Sequence, residues 1–591
     1  MSLNQELAEL FKTAAAVMEI KGEAVFKAIA FQRVSRALED STIDLKKAVE
    51  DGTIDDLEGV GKSSRKIIVE YVTTGRSTDL DELQASIPAG LIPMMQIPSL
   101  GPKTIKLLWQ ERGITSVDEL AAAIKSGKLD GLKGIGPKKI QSIQEGIAIR
   151  TLAGERKGLL DVLPIAQAVL DRVRQLDGVV QAEVAGSLRR WKETIGDVDI
   201  LATIKKTVKD PGNITLAFTK FPEVNKTLVQ GDSKASILTA AGLQIDLRIV
   251  PEENFGAALQ YFTGSKDHNK KLRGMALDQG MTLNEWGLYK LADYEKAEKE
   301  PARAPKLKPV ASKTEADIYN ALGLDYIEPE LREDRGELEQ ARDRTLPKLI
   351  TVDDIRADLH THTTASDGIN SILEMAEAAK AKGYRFLAIT DHSKSQVVAN
   401  GLDAKRLLKH VAAIHKAGEQ IKGIKLLAGC EVDILADGSL DFGEDVLAEL
   451  DWVVASPHVS LKQETQKATD RILRAIDTKY VNLIGHPTGR IINQRNGLPL
   501  EISSIVERAA KANVGLEINA GWPRLDLRDT HAHAALAAGV TLSINTDAHS
   551  IEGLDGMHLG VAVARRAGAT ISDVLNTWKG EKLLDFIAAK R

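Results

Sequence analysis

The sequence predicts a multidomain chain in three structural classes: an α-helical front, an α+β middle and a C-terminal α/β barrel. Three observations carry this. A glycine turn that opens a helix occurs three times in the first 145 residues. Between about 179 and 250 the apolar pattern changes to alternating, β-branched strands. After about 350, short apolar runs alternate with helical segments and repeatedly end in His, Asp or Glu.

A chain of 591 residues has room for several domains. With 43% hydrophobic and 27% charged residues it is an ordinary globular protein. The single cysteine, Cys430, excludes a disulfide framework and thiolate zinc clusters and suits a reducing interior. The start, MSLNQELAELFK, lacks a signal-peptide pattern, and no apolar run is long enough to span a bilayer. The expectation is a cytoplasmic, nucleoid-associated monomer with no membrane partner. A net charge of −5 argues against a wholly basic nucleic-acid coat. It leaves room for local phosphate contacts, which need only a few well-placed donors.

Residues 1–85 read as short amphipathic helices, with Val17, Ile20, Ala24, Val25, Phe26 and Ile29 near helical spacing. The repeats are 59-GVGKSSRKI-67, then, in a segment 86–150, 100-LGPKTIKLL-108 and 134-GIGPKKIQSI-143. A glycine turn before a helix points backbone N–H groups at an anion, and the helix dipole assists. One copy alone is more often a plain structural turn; three copies favour phosphate binding. The candidates are Gly59, Gly61, Gly101, Lys103, Gly134, Gly136 and Lys138. In the middle copy Ser99 replaces the first glycine, so that copy reads as a packing element.

Within 151–250, the segment 185-AGSLRRWKETIGDVDIL-201 is the most informative. Asp197 and Asp199 alternate on a strand and so share a face. Asp246, in LQIDLRIV, lies on a second strand that fits beside it. Three carboxylates on one sheet face repel unless cations neutralise them, and two Mg²⁺ or Mn²⁺ ions about 4 Å apart suit phosphoryl transfer. Gly186, Ser187 and Arg190 are placed to hold a triphosphate. Asp-x-Asp alone is commonly an exposed strand; the preceding Gly-Ser-x-Arg-Arg and the third in-strand Asp separate this case from that one. Residues 251–335 carry 261-YFTGSKDHNKKLR-273 in a helical pattern that ends in a polar patch, LNEWGLYK. Residues 291–313, rich in Lys, Glu, Ala and Pro, read as exposed linker, and 336–350 as a second linker.

Residues 351–591 hold 11 of the 12 histidines. The strand patterns FLAIT, IKLLAG, WVVAS, NLIGH, GLEIN and TLSINT, with the HTH segment before them, suit a parallel barrel whose strand ends converge on one face. There lie His360, His362, Asp367, His392, Glu431, His458, His486, Asp547 and His549. Imidazole and carboxylate suit Mn²⁺, Zn²⁺ or Fe, up to three ions. His410, His415 and His558 read as ordinary core or surface residues, and the HAH pair His531 and His533 as helical.

These motifs resemble known families. The glycine repeats are similar to helix-hairpin-helix elements. GSLRR…DVD resembles the nucleotidyltransferase superfamily, and YFTGS followed by Asn269 and Arg273 narrows this to family X DNA polymerases. The resemblance implies a palm at 151–250 and a thumb at 251–335. It further implies that Tyr261 and Phe262 lie by the sugar of an incoming dNTP, that the Gly264 turn excludes a 2′-hydroxyl, and that Asn269 and Arg273 touch base and template. It makes 1–85 a domain that binds the 5′-phosphate of gapped DNA, with Lys27 as phosphate ligand and Phe31 in place of a tyrosine. The lyase lysine expected six residues after Gly61 is Ile67, so lyase activity of the usual kind is not expected. The C-terminal set resembles the PHP domain, with all nine ligand positions filled. Together the resemblances imply a gap-filling polymerase acting on gapped or primer–template DNA and joined to a metal-dependent 3′–5′ exonuclease or 3′-end processing activity, as in base-excision repair. The alternative is a small-molecule phosphoesterase whose front half is a regulatory nucleotide-binding module.

Overall fold

The structure, a computed structural model, describes residues 3–22, 25–41, 43, 45–57, 59–95, 97, 100–129, 132, 134–136, 139–140, 143–144, 147, 156–299 and 307–590. Ala24, Ser99 and Lys138, singled out in the sequence, lie outside these residues. The chain divides into two compact units, Met1–Gly154 with Pro499–Ser504, and Glu155–Leu498 with Ile505–Arg591.

The first unit is helical. Leu7, Phe11, Phe31, Val34, Leu38 and Ile68 build one core. Leu91, Met94, Ile105, Leu108, Leu120 and Ile143 build a second. Gly61 caps the Lys62–Thr74 helix, and its N–H donates to Ser64 Oγ at 2.8 Å. Gly59 holds φ +82°, and a Cβ there would meet Arg33 Cβ at 3.0 Å, so the turn requires glycine. Gly101 caps Pro102–Arg112, whose Ile105 and Leu108 are buried, in keeping with a packing role for the middle repeat. Phe26, counted in the apolar stripe, is instead 77% exposed beside Lys27. The helix starts at Val25, so the apolar spacing that runs on from Val17 does not continue on one face past it.

In the second unit, a five-stranded sheet runs in the order Val179–Val184, Asp197–Ile204, Gln244–Ile249, Lys234–Thr239, Val224–Gln230. The Asp197 and Gln244 strands are parallel, with Asp199 opposite Asp246. The helix Phe255–Thr263 packs on this sheet through Phe255, Ala258 and Leu259. The patch LNEWGLYK is a hairpin, Met281–Asn284 with Gly287–Lys290, rather than the end of a helical run. Its Glu285 and Trp286 form the turn that the helical reading missed.

Two expected linkers are corrected. Residues 291–299 form a helix, and Ala311 pairs with Leu288 and joins the core, so 307–313 is packed chain. Residues 336–350 contain the helix Glu337–Asp343, with Leu338, Ala341 and Ile350 fully buried. Glu337 explains that helix. Its carboxylate accepts from the backbone N–H of Asp334 at 3.0 Å and of Arg335 at 2.7 Å. It also meets the ring of buried His268 at 2.7 Å.

The C-terminal sheet has seven parallel strands in sequence order: Ala357–Thr361, Phe386–Ile389, Lys425–Asp433, Trp452–Ser456, Leu483–Ile484, Gly515–Asn519 and Leu542–Asn545. It nearly closes. A bridge joins Thr361 to Ala548, and Leu359 N–H donates to Asn545 Oδ1 at 3.1 Å. Trp452 fills the interior, its Nε1 donating to Leu359 O at 2.9 Å.

A charged seam joins this barrel to the rest of its unit. Arg566, on the helix Met557–Ala567, donates to Arg190 O at 2.6 Å, Glu333 at 3.0 Å and Asp529 at 2.6 Å. Arg335 reaches Asp529 at 3.2 Å, Arg565 donates to Glu330 at 2.8 Å, and Arg490 grips Glu193 at 3.1 and 2.7 Å. Burial pushes the Glu333 carboxyl up, but Arg566, Lys192 and Arg190 outweigh it and hold it down at about 2. Arg566→Ala should therefore destabilise the full chain by about 3 kcal/mol in urea unfolding followed by tryptophan fluorescence, because each carboxylate keeps only one arginine. Arg566→Lys should recover less than half, since one ammonium cannot serve three fixed acceptors.

Candidate functional site

The palm-side centre is built by strand register. Asp197 and Asp199 share one face of their strand, and parallel pairing brings Asp246 beside Asp199. Burial pushes the Asp199 carboxyl up to about 7, with Asp197 and Asp246 adding to the shift. Asp197 is raised by burial and by Asp246. Lys234 offsets part of this, at 3.2 Å from Asp246. Gly186 holds φ +65°, and a Cβ there would lie 3.1 Å from Asp199 Oδ2, so only glycine lets this turn approach the carboxylates. Gly186 and Ser187 open the helical turn Gly186–Arg189.

The nucleotide-side residues gather around the same turn. Arg190 pairs through Nε with Glu333 at 3.0 Å, and its Nη1 donates to Thr263 O. Arg189 forks onto Glu315 at 2.9 and 2.7 Å and also donates to Thr263 Oγ1. Gly264 has φ +69°, and a Cβ there would crowd Arg190 Nη1 at 3.2 Å. Tyr261 and Phe262 pack edge to face with centroids 5.1 Å apart, and Arg248 lies 4.5 Å over the Phe262 ring. Asn269 is engaged within the protein, donating to Tyr261 O at 2.7 Å and accepting from Gln260 at 2.7 Å. Arg273 is exposed.

The second centre sits where the barrel strands end. Three sets of ligand atoms each lie within 4.8 Å: His362, Asp367, His392 and His549; His360, His362 and Asp547; His392, Glu431 and His458. His486 joins them, its Nε2 2.8 Å from Glu431. All nine expected residues thus converge. His360 Nε2, both ring nitrogens of His362, His486 Nδ1, Glu431 Oε2 and Asp547 Oδ1 are buried without a hydrogen-bond partner among the described residues. Orphaned imidazole and carboxylate atoms facing one pocket are the donor set that divalent transition ions require. Without an ion the cluster holds protons. Burial lowers His392, but Glu431 and Asp367 outweigh it and raise it to about 10. His458 is raised to about 9 on the same balance, through Glu431 and Asp433. His362 is lowered to about 4 by burial and by His392 and His549.

Sequence reasoning missed the groups that aim these ligands. Glu517 accepts from or shares a proton with His360 Nδ1 at 2.8 Å, and Asp433 does so with His458 Nδ1 at 2.8 Å. Asp391 binds Thr363 and Ser366 by backbone and hydroxyl, which shapes the loop that carries Asp367. A signal was present: each is a carboxylate inside or just beyond an apolar strand. His410 is a buried core residue on the helix Ala404–Gln420, its Nε2 pairing with Asp391 at 2.8 Å. His531 and His533 lie on the helix Asp529–Ala537 and belong to none of the ligand sets.

In the first unit a cleft of about 360 Å³ is lined by Lys27, Phe31, Gly59, Gly61, Lys62 and Ile67, among others. Ile67 is buried, and neighbouring Lys66 pairs at 2.9 Å with Asp79, which also lines the cleft.

Known families match along the chain: a helix-hairpin-helix domain at residues 2–77, a SAM-like helix-hairpin-helix tandem at 91–148, the DNA polymerase beta palm at 161–265, the DNA polymerase beta thumb at 258–333 and the PHP domain at 358–521. The Bacillus subtilis DNA polymerase/3′-5′ exonuclease PolX is 38% identical over 97% of both chains. A probable phosphatase of Thermoanaerobacter sp. is 29% identical, covering 40% of this chain and 95% of its own. A probable phosphatase of Shewanella oneidensis is 28% identical over 39% of this chain and 91% of its own.

Two outcomes follow from the geometry. Glu517→Gln should weaken metal retention by the histidine pocket 10- to 100-fold, read by metal content after graded chelation, because His360 loses the carboxylate that aims it. At the palm the raised Asp199 carboxyl opposes folding: its cost is absent below the unfolded value near 4 and complete above about 7. Mg²⁺ should therefore raise Tm more at pH 8 than at pH 6, where it must displace a proton. Asp199→Asn should flatten that difference.

Proposed function

Because the chain belongs to the bacterial-type family X DNA polymerases with a C-terminal PHP domain, we propose that it fills short gaps in DNA and trims or processes 3′ ends with its second centre, in the service of base-excision repair. What supports this is that one chain holds two separate clusters: Asp197, Asp199 and Asp246 on adjacent strands of the palm sheet, and His, Asp and Glu side chains gathered near the barrel strand ends. A small-molecule phosphoesterase would need only the second.

At the palm, Asp197, Asp199 and Asp246 would hold two Mg²⁺ or Mn²⁺ ions, which supply charge neutralisation for the attacking and leaving oxygens. Gly186, Ser187 and Arg190 take the triphosphate, with Arg190 already steered by Glu333 and the Thr263 carbonyl. Tyr261, Phe262 and the Gly264 turn border the sugar. Asn269 reaches a base edge by exchanging its bond to the Tyr261 carbonyl for one to the nucleotide, and Arg273 meets the template. The helix-hairpin-helix glycines Gly59, Gly61, Gly101, Gly134 and Gly136, with Lys27, Lys103 and Lys138, hold the DNA backbone.

At the barrel mouth the nine residues would hold up to three Mn²⁺, Zn²⁺ or Fe ions, which supply a hydroxide nucleophile at neutral pH. Glu517 and Asp433 keep His360 and His458 oriented throughout. No described helix is long and apolar enough to cross a membrane. The reading is of a cytoplasmic, nucleoid-associated enzyme acting as a monomer.

With a one-nucleotide-gapped duplex and Mn²⁺, Asp197→Ala with Asp199→Ala should abolish extension and leave 3′ shortening within twofold. His360→Ala with His362→Ala should do the reverse. Loss of both activities from either folded variant would refute separate sites.

A further inference from the structure

The ligand His392 is followed at once by a loop that the site chemistry does not use. Its residues 393–402 close on themselves: Leu402 N–H donates to His392 O at 2.8 Å and Gly401 N–H to Gln396 O at 2.9 Å. A Cβ at Gly401 would sit 2.0 Å from Ser393 O, so the closure requires glycine. Side chains fix the loop to the metal pocket. Gln396 Nε2 donates to Asp433 at 3.1 and 2.9 Å, and Asp433 is the carboxylate that aims His458. Ser395 donates by N–H and hydroxyl to Asp441 at 2.7 Å each. Arg406 Nη2 ties the loop's far side to Ala365 O at 3.0 Å, two residues before the ligand Asp367.

At the tip of this fixed loop stand Val397 and Val398, 81% and 103% exposed. Ile369, two residues after Asp367, is 71% exposed, and its N–H is held by His549 O at 2.9 Å. The apolar residues thus project from loops that start at metal ligands. Asn400, two residues past Val398, donates to Ala365 O and Ser366 O at 3.4 and 3.5 Å, which ties this loop to the segment that carries Asp367, and Asp367 and His549 are the most exposed of the nine residues, 32% and 38%. Single exposed aliphatics need no account, but two in succession on a loop pinned at both ends present an apolar tip at fixed position. Lys394 and Arg406 on the same stretch add positive charge.

We propose that Val397 and Val398, with Ile369, form an apolar wedge against the terminal nucleobase of a strand whose 3′ phosphodiester lies at the metal pocket. This rests on the nuclease reading above. Aliphatic wedges contact bases by packing on their faces, without reading sequence. A pocket that hydrolyses phosphodiesters places the base of the departing nucleotide beside its most exposed residues, the side to which Asn400 ties this loop. The wedge makes the pocket selective for polynucleotide ends over small phosphate esters.

The test uses the full chain with Mn²⁺ and two single-stranded oligonucleotides that differ only in the 3′-terminal residue, one bearing a base and one abasic. The wild type should favour the base-bearing end by about tenfold in kcat/KM, as expected for burying part of two valine side chains. Val397→Ser with Val398→Ser should bring that end down to the abasic level, leave the abasic end unchanged and leave Tm unchanged. Val397→Leu with Val398→Leu should keep the preference. No preference in the wild type, or an equal loss on both ends in the serine variant, would overturn the wedge. Failure of the wild type to shorten either oligonucleotide would instead refute the nuclease reading.

Discussion

Buried charge of one sign, held tolerable by charge of the other, governs this molecule. Glu431 shows it most plainly. It is fully buried, yet five histidine rings lie within 3.7 Å of its carboxylate. On the palm sheet buried Asp246 stands beside half-buried Asp199 and exposed Asp197, with Arg156, Lys234 and Arg248 among the cations that offset them. In an interior of low dielectric such groupings are unstable alone. Each is a grouping whose strain a bound cation would relieve.

The two centres use different geometry for the same end. The palm takes carboxylates from within the first three residues of two paired strands, where register sets their spacing to within one residue. The barrel gathers its nine residues at or just beyond the C-terminal ends of six of its seven strands. The first arrangement is stiff and carries few ligands. The second gathers nine and needs outer carboxylates such as Glu517 to fix the rings.

Much of this was legible in the chain because strand ends and strand alternation are local patterns. Asp197, Asp199 and the nine pocket residues each follow or lie in a strand that the sequence announces, and the structure brings each set together. Contacts set by distant partners were not legible. Glu337 makes a helix of an expected linker only because His268 and the 334–335 backbone meet it. The LNEWGLYK hairpin lacks the usual Asn-Gly turn. Arg566, Glu333 and Asp529 lie far apart in sequence and carry no motif, so their meeting is tertiary information alone.

That meeting bears on how such a chain is inherited. Arg566 bonds the carbonyl of Arg190 and the carboxylate of Glu333 from one guanidinium, while Arg490 holds Glu193. A recombination event that swapped the barrel for another would strand Glu193, Glu330 and Glu333 opposite foreign side chains. The two halves are therefore welded at a matched joint, and a successful gene fusion must transmit both faces of that joint as one heritable block.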